Sequence, residues 1–202
     1  RIPKSLRLAQ QLENTDRFLA SEVMLARLQL ARGEVAAAWA QLAATEQAAQ
    51  RPHLARMQPE IAAVQVAVLL RQGKLDAATQ LVQRYALPLC QARVQLAAGD
   101  AASALALLDA LRAAAEAKGW QDDLLNATML QALAHQASGD QETALRWLEE
   151  ALALAEPGGF IRLFVDEGAP MAELLSVAAT RGVMPEYVGK LLAAFPALKN
   201  SV

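Results

Sequence analysis

Apolar residues recur along this chain at three- and four-residue intervals, the spacing of one face of an α-helix. The runs are broken by short corners in which a Gly is followed by a charged residue. Four corners align: Ala31-Arg32-Gly33-Glu34-Val35-Ala36-Ala37-Ala38, Arg71-Gln72-Gly73-Lys74-Leu75-Asp76-Ala77-Ala78, Ala97-Ala98-Gly99-Asp100-Ala101-Ala102-Ser103-Ala104 and Ala137-Ser138-Gly139-Asp140-Gln141-Glu142-Thr143-Ala144. Each has an Ala five positions after the Gly, and nine after it comes Leu42, Val82, Leu108 or Leu148. Gly ends one helix by accepting a left-handed backbone, an acid favours the start of the next, and Ala sits where the two helices touch. The pattern therefore predicts a helix on each side of every corner, among them Leu75 to Tyr85, after which Ala86 to Leu96 remains for a linker and the next first helix. Ile61 to Leu70 reads as a buried helix, too short for a membrane span. Ser5 to Leu12 reads as the last helix of an earlier unit, with a join near Glu13-Asn14.

One Gly-Asp means little; four in register carry information. The arrangement resembles the turn between the paired helices of a tetratricopeptide-type repeat. The fourth copy adds Ala132 and Ala151 at small positions and Pro157 just after its second helix. The Gly spacings are 40, 26 and 40, whereas a helix pair of this kind needs about 34 residues. The central interval is short, which predicts a longer loop around Leu87-Pro88-Leu89 than the residues there supply. The expected architecture is all-α: a tetratricopeptide-like superhelix of antiparallel helix pairs over residues 1–157, then a tie and capping segment over 158–202. Within the tail, Phe160 to Glu167 reads as a short helix or an extended tie, with Phe160, Leu163 and Phe164 on one helical face. Met171 to Thr180 and Glu186 to Phe195 read as capping helices, the second closed by Pro196. Glu173, Glu186, Lys190 and Lys199 supply the polar outer face that a terminal repeat needs.

Composition agrees with a helical reading. Hydrophobic residues make up 54% and aromatics only 4%; Ala and Leu dominate, while Val, Ile and Thr are too scattered for a sheet. The formal net charge is −2 and the Arg residues are spread among acids. A nucleic-acid-binding domain clusters its basic charge on one face, so direct DNA contact by this chain is not expected. One cysteine, Cys90, excludes a disulfide framework and a Cys-based zinc cluster and suits a cytoplasmic protein.

Catalytic groups do not converge. His53 and His135 are the only histidines and share no metal-ligand spacing; His135 falls where repeat helices place a large packing residue. Asp122-Asp123, Glu149-Glu150 and Asp166-Glu167 are adjacent pairs, and neighbours on a helix face different directions. Asp122-Asp123 suits a helix N-terminus, Glu149-Glu150 a solvated face, and Ser103 and Ser176 have no evident His or Lys partner. The expectation is no enzyme, no cofactor and no metal.

A binding groove is the remaining chemistry. In tetratricopeptide-type arrays the first helix of each pair lines a concave surface. Counting back from each Gly gives Arg27, Glu60, Arg93, Asn126, Met129 and Gln136 as candidates for contact with a ligand or partner. Arg27 and Arg93 occupy the same position of two repeats. An Arg fork suits carboxylates, phosphates or sugar hydroxyls; a structural ion pair or a solvated face is the plainer alternative. Trp39 and Trp147 lie on second helices, where packing competes with any stacking role, and Trp120 is a third indole.

Leu148-Glu149-Glu150-Ala151-Leu152-Ala153-Leu154-Ala155-Glu156-Pro157-Gly158-Gly159 leads into Phe160-Ile161-Arg162-Leu163-Phe164-Val165-Asp166-Glu167-Gly168-Ala169-Pro170-Met171. This stretch resembles the segment that closes the helical-repeat sensor region of large ATP-dependent LuxR-type transcriptional activators, the group that includes the maltose-regulon activator. Members similar to it carry a longer polar loop before a helix matched here by Cys90-Gln91-Ala92-Arg93-Val94-Gln95-Leu96. The resemblance implies a sensing domain that takes a small-molecule inducer or a regulatory protein, works with the other domains of its parent regulator, and controls oligomerisation. It also implies a DNA-binding domain beyond Val202, and that Asp166-Glu167 ties the tail to the last repeat. No Gly-x-x-x-x-Gly-Lys-Ser/Thr loop is present, so the ATPase of such regulators is not in this stretch. The alternative is a general protein-interaction scaffold with no transcriptional role.

Overall fold

Each of the four corner glycines ends a helix in a computed structural model that describes residues 4–50 and 52–195, with side chains at 15–50 and 54–195. Helices α1 (Lys4–Ala31) and α2 (Val35–Ala49), α3 (Gln58–Arg71) and α4 (Leu75–Tyr85), and α7 (Gln121–Ala137) and α8 (Gln141–Ala155) pack as hairpins, and α5 (Pro88–Ala97) and α6 (Ala101–Lys118) flank the third corner. A 3-10 helix, Pro52–Met57, precedes α3, and a 3-10 turn, Glu156–Gly158, follows α8. The short α9 (Arg162–Val165) and the helices α10 (Ala169–Thr180) and α11 (Pro185–Ala194) complete the chain. Among the described residues there is no strand.

The corners share one geometry. At the fourth, Gly139 has φ +85°, its N–H donates to Gln136 O at 3.0 Å, and Asp140 N–H donates to His135 O at 2.9 Å. These two bonds are the αL helix ending that satisfies the last carbonyls of α7. Gly33, Gly73 and Gly99 repeat the pattern, with the next residue's N–H reaching Gln29 O, Leu69 O and Gln95 O at 2.9 Å. The residue after the Gly then opens the following helix: Asp100 Oδ1 accepts from Ser103 N–H at 3.0 Å and Asp140 Oδ1 from Thr143 N–H at 3.1 Å. Glu34 and Lys74 hold the same place without a side-chain cap. The small residues five after each Gly, Ala38, Ala78, Ala104 and Ala144, are fully buried, as are Leu42, Leu108 and Leu148 four residues further. A methyl side chain lets the two helix axes approach closely, and the aliphatic one turn on fills the space beneath.

The chain forms two compact units, Arg1–Val94 and Gln95–Val202, with α5 crossing from one to the next. In the first, Leu19, Val23 and Ala26 of α1 meet Ala38, Leu42 and Ala49 of α2 and Ile61, Val64 and Val68 of α3. A second cluster joins Val66 and Leu69 of α3 to Ala78 and Val82 of α4 and Val94 of α5, with Cys90 packed against it. Helix α3 is thus buried on two faces, which explains why Ile61 to Leu70 is nearly continuous in apolar residues. In the second unit α7 packs against α6 and α8, and α10 lies on α7 and α8. Its central residues from Leu125 to Ala134, Asn126 excepted, are buried.

Three expectations change. Helix α1 runs unbroken through Glu13-Asn14, so no join lies there. Leu87-Pro88-Leu89 needs no added loop: Ala86 takes φ 49°, Leu87 N–H donates to Val82 O at 3.3 Å, and Pro88 opens α5, where its missing N–H costs nothing. The central interval is short because α4 and α5 have 11 and 10 residues, against 18 and 17 in α6 and α7. In the tail, Phe164 is fully buried but Phe160 is exposed, because Gly159 at φ 62° turns the chain before α9 begins. Pro196 and Lys199 lie outside the described residues.

The tail is fastened to its unit by polar and aromatic contacts. Tyr187 of α11 donates its hydroxyl to Phe160 O at 2.6 Å and stands edge-on to Phe164 with centroids 6.3 Å apart. Burial raises the Tyr187 hydroxyl above its ordinary pKa, with Glu156 adding to the rise. Met171, Leu174 and Leu175 of α10 are fully buried.

Candidate binding surfaces

The sequence candidates divide between the two units. In the first, Arg27 of α1 and Glu60 of α3 are exposed, and Arg93 of α5 is half-buried. In the second, Asn126 is half-buried and donates its side-chain amide to Asp122 O at 2.8 Å. Gln136 is half-buried with its side-chain oxygen unpaired. Met129 does not line a groove: it is fully buried, because α7 is enclosed by α6, α8 and α10 and its face is core.

The first unit also carries a cleft of about 330 Å³ lined by Trp39 and Glu46 of α2, Gln65 and Leu69 of α3, and Ala77, Gln80, Leu81 and Arg84 of α4. Gln65, buried, donates to Glu46 Oε2 at 2.8 Å and fixes that carboxylate on the wall. The Arg84 guanidinium lies over the Tyr85 ring at 5.2 Å, a placement favoured by the ring's negative face. The cleft presents an indole, a cation, a carboxylate and two amides around an aliphatic floor. It opens mainly between second helices, whereas the repeat pattern directs attention to first helices. The available signal was Trp39 itself, one residue past the contact Ala38 and too large to sit between close helices.

Both units use one polar device. Gln65 and Gln131 each stand eight residues before a corner Gly, both are buried, and Gln131 donates to Asp109 Oδ1 of α6 at 2.6 Å. Each reaches back to an acid on the second helix of the preceding hairpin. The hydrogen bond satisfies a buried amide and sets register between hairpins.

Several other polar groups make contacts within the fold. Asp122 and Asp123 occupy the first turn of α7, where negative charge meets the helix dipole. Glu149 is exposed, but Glu150 is not simply solvated: it accepts from Arg112 at 2.9 Å. Arg112 also pairs with Glu116 at 2.8 Å and lies 4.6 Å over the Trp147 ring. His135 Nδ1 is 3.8 Å from Asp140 Oδ2, beside the cap of α8. Asp166 pairs with Arg162 one turn earlier, and the Ser176 hydroxyl donates to Ala172 O at 2.7 Å. Trp120 is exposed, with the Lys118 ammonium 4.2 Å over its ring. Among the described residues no three metal-ligating side chains gather, and no helix is long and apolar enough to cross a membrane.

Antiparallel hairpins with a glycine corner, a contact alanine and a buried aliphatic one turn on define a helical-repeat protein of the tetratricopeptide class. Within that class, the chain belongs to the MalT-like TPR region family, whose model matches residues 2–181. The match takes in all four hairpins and α10, and it is a helical-repeat family rather than a catalytic one. No curated protein sequence matches the chain.

Proposed function

We propose that this chain is the sensing region of a LuxR-type transcriptional regulator. In this reading it binds a small-molecule inducer or a regulatory protein and thereby controls assembly of the parent protein. The observation that carries the reading is the MalT-like family match across residues 2–181. Physically, an effector moves an equilibrium only by preferring one arrangement of the protein over another. Hairpins joined by near-identical contacts supply an element that can bend between two such arrangements.

The surfaces proposed for contact are the first-helix faces with exposed Arg27 and Glu60 and half-buried Arg93 in the first unit, and with half-buried Asn126 and Gln136 in the second. Arg27 and Arg93 each lie six residues before a corner Gly. The planar guanidinium fork is of a chemistry that suits a carboxylate or phosphate. The Trp39–Arg84 cleft is a further surface of suitable chemistry within the first unit.

The test is thermal denaturation in the presence of a metabolite panel. A ligand of the folded state raises Tm by mass action, and Arg27→Ala with Arg93→Ala abolishes the rise. A rise that survives both substitutions but disappears in Trp39→Ala moves the site to the cleft. No rise with any metabolite, together with no helix-turn-helix in the residues the gene encodes after Val202, rejects the regulator reading in favour of a protein-interaction scaffold.

A further inference from the structure

One pair of register positions is occupied by opposite charges in both units, and the two units treat it differently. Thirteen residues after a corner Gly stand Glu46 of α2 and Arg112 of α6; eleven after the next Gly stand Arg84 of α4 and Glu150 of α8. In the second unit the two positions meet across α6 and α8. Arg112 donates to Glu150 at 2.9 Å, and its guanidinium also lies 4.6 Å over the Trp147 ring.

In the first unit the signs are reversed and the pair is not made. Glu46 accepts from buried Gln65 at 2.8 Å, and the Arg84 guanidinium lies over the Tyr85 ring at 5.2 Å. Among the described residues no carboxylate meets Arg84. Both side chains line the cleft of about 330 Å³, together with Trp39, Leu69, Ala77 and Leu81 as apolar wall.

Opposite charges on one cleft, unpaired with each other, suit a molecule that carries both. An anion alone meets the Glu46 carboxylate, which Gln65 holds in place; a cation alone meets Arg84. Each then suffers like-charge repulsion. A neutral sugar answers neither charge with a charge. A zwitterion gives each wall its complement, an ammonium to Glu46 and a carboxylate to the planar fork of Arg84. The volume lies at the small end of ligand pockets, about 300–1,000 Å³, and suits one residue-sized molecule rather than an extended chain. Trp39, 37% accessible, offers an indole face to an apolar side chain.

We infer that this cleft binds a free α-amino acid with an aliphatic or aromatic side chain: ammonium on Glu46, carboxylate on Arg84, side chain against Trp39. The ligand takes the place that the direct Arg112–Glu150 bond holds in the second unit, and it ties α2 to α4, the second helices of successive hairpins. A molecule that spans two hairpins favours one spacing of them over others. Its role as effector of a parent regulator rests on the sensing reading; its binding does not.

Calorimetric titration of the 202-residue chain tests this with L-leucine and L-phenylalanine, and with 3-methylbutylamine and N-acetyl-L-leucine as forms that lack one charge. An amino acid binds, and each single-charge form binds about tenfold more weakly or worse. Arg84→Gln, at an exposed position, abolishes the binding while circular dichroism reports an unchanged fold, and Glu46→Gln does the same. No binding of either amino acid overturns the inference. So does equal affinity for a single-charge form, or binding that survives Arg84→Gln. Those failures leave the regulator reading to its own test at Arg27 and Arg93. Amino-acid binding by a chain whose gene encodes no helix-turn-helix upholds this inference while that reading fails.

Discussion

Arg181, just beyond the last turn of α10, grips Glu142, in the first turn of α8, through both guanidinium nitrogens at 2.6 and 2.9 Å. The pair joins the tail to the final hairpin across 39 residues of sequence. Its partner holds the Glu142 carboxyl below the ordinary glutamate range, and Glu142 raises the Arg181 guanidinium in turn. Both side chains are exposed, so salt screens the attraction. Glu142→Gln is expected to lower Tm at low ionic strength and to leave it unchanged at high salt. Melts at the two salt concentrations check this. A loss that persists at high salt indicates packing rather than charge.

The helix caps set a pH dependence. Hydrogen bonds from Ser103 and Thr143 hold the Asp100 and Asp140 carboxyls below the ordinary aspartate value. A carboxyl whose folded pKa is depressed stabilises the fold above its unfolded pKa, and this contribution is lost as pH falls through the folded value. Asp100→Ala and Asp140→Ala are therefore expected to melt below wild type at neutral and mildly acidic pH. The difference closes only in strong acid. Urea midpoints across a pH series report it, and a gap that closes already at neutral pH contradicts the capping role.

Gly139 sits at φ +85°, where a Cβ meets no neighbouring atom. Crowding by neighbours is absent, so the penalty of a side chain is conformational alone. Gly139→Ala is expected to cost about 1–2 kcal/mol for the left-handed backbone, and Gly139→Asn less, since Asn tolerates that region. Denaturant unfolding with unchanged slope measures both. Equal losses for Ala and Asn would point away from backbone strain.

The hairpin contact is sensitive to volume in both directions. Ala144 and Leu148 are fully buried. Leu148→Ala is expected to cost about 2–5 kcal/mol through lost burial and the cavity left behind. Ala144→Leu forces the helices apart at about 1–3 kcal/mol. If Ala144→Leu is tolerated without loss, helix contact at that position is looser than the structure has it.

The Gln131–Asp109 bond gives a sign test. Gln131 donates through its nitrogen while its side-chain oxygen stays buried and unpaired. Gln131→Glu sets a second carboxylate against Asp109 and is expected to lower Tm at neutral pH, with recovery on acidification. Gln131→Leu removes the unpaired oxygen along with the donor and falls close to wild type, because Asp109 is exposed and water replaces its partner. Calorimetry of both variants decides; equal destabilisation by Leu and Glu removes the charge argument.

The hairpins were legible from sequence because each corner combines three independent requirements: a positive φ, a charged helix start and a contact too close for anything but Ala. Gly33, Gly73, Gly99 and Gly139 meet all three, and so the repeats are legible in the residues alone. Connections between hairpins answer to weaker rules. Ala86 adopts a left-handed φ without being Gly, which no residue-type rule announces, and Pro88 reads equally as a loop or a helix start. Counting back from Gly139 places Met129 on a helix face but does not say what covers that face, and α10 arrives from 40 residues away in sequence. The Trp39–Arg84 cleft is not legible in the sequence for the same reason: its walls come from two hairpins, and their pairing is a tertiary fact.

At each corner only three residues separate the helices, and the last of them closes one helix while opening the next. A corner built this way has no slack, so an inserted or deleted residue breaks two helix ends at once. Changes of length in a protein of this design must then fall at the seams between hairpins, near Ala86-Leu87, Gly119-Trp120 or the 3-10 segment before α3, or in the helix arms leading to them. The unequal distances between glycines are what growth and trimming confined to those places would leave behind.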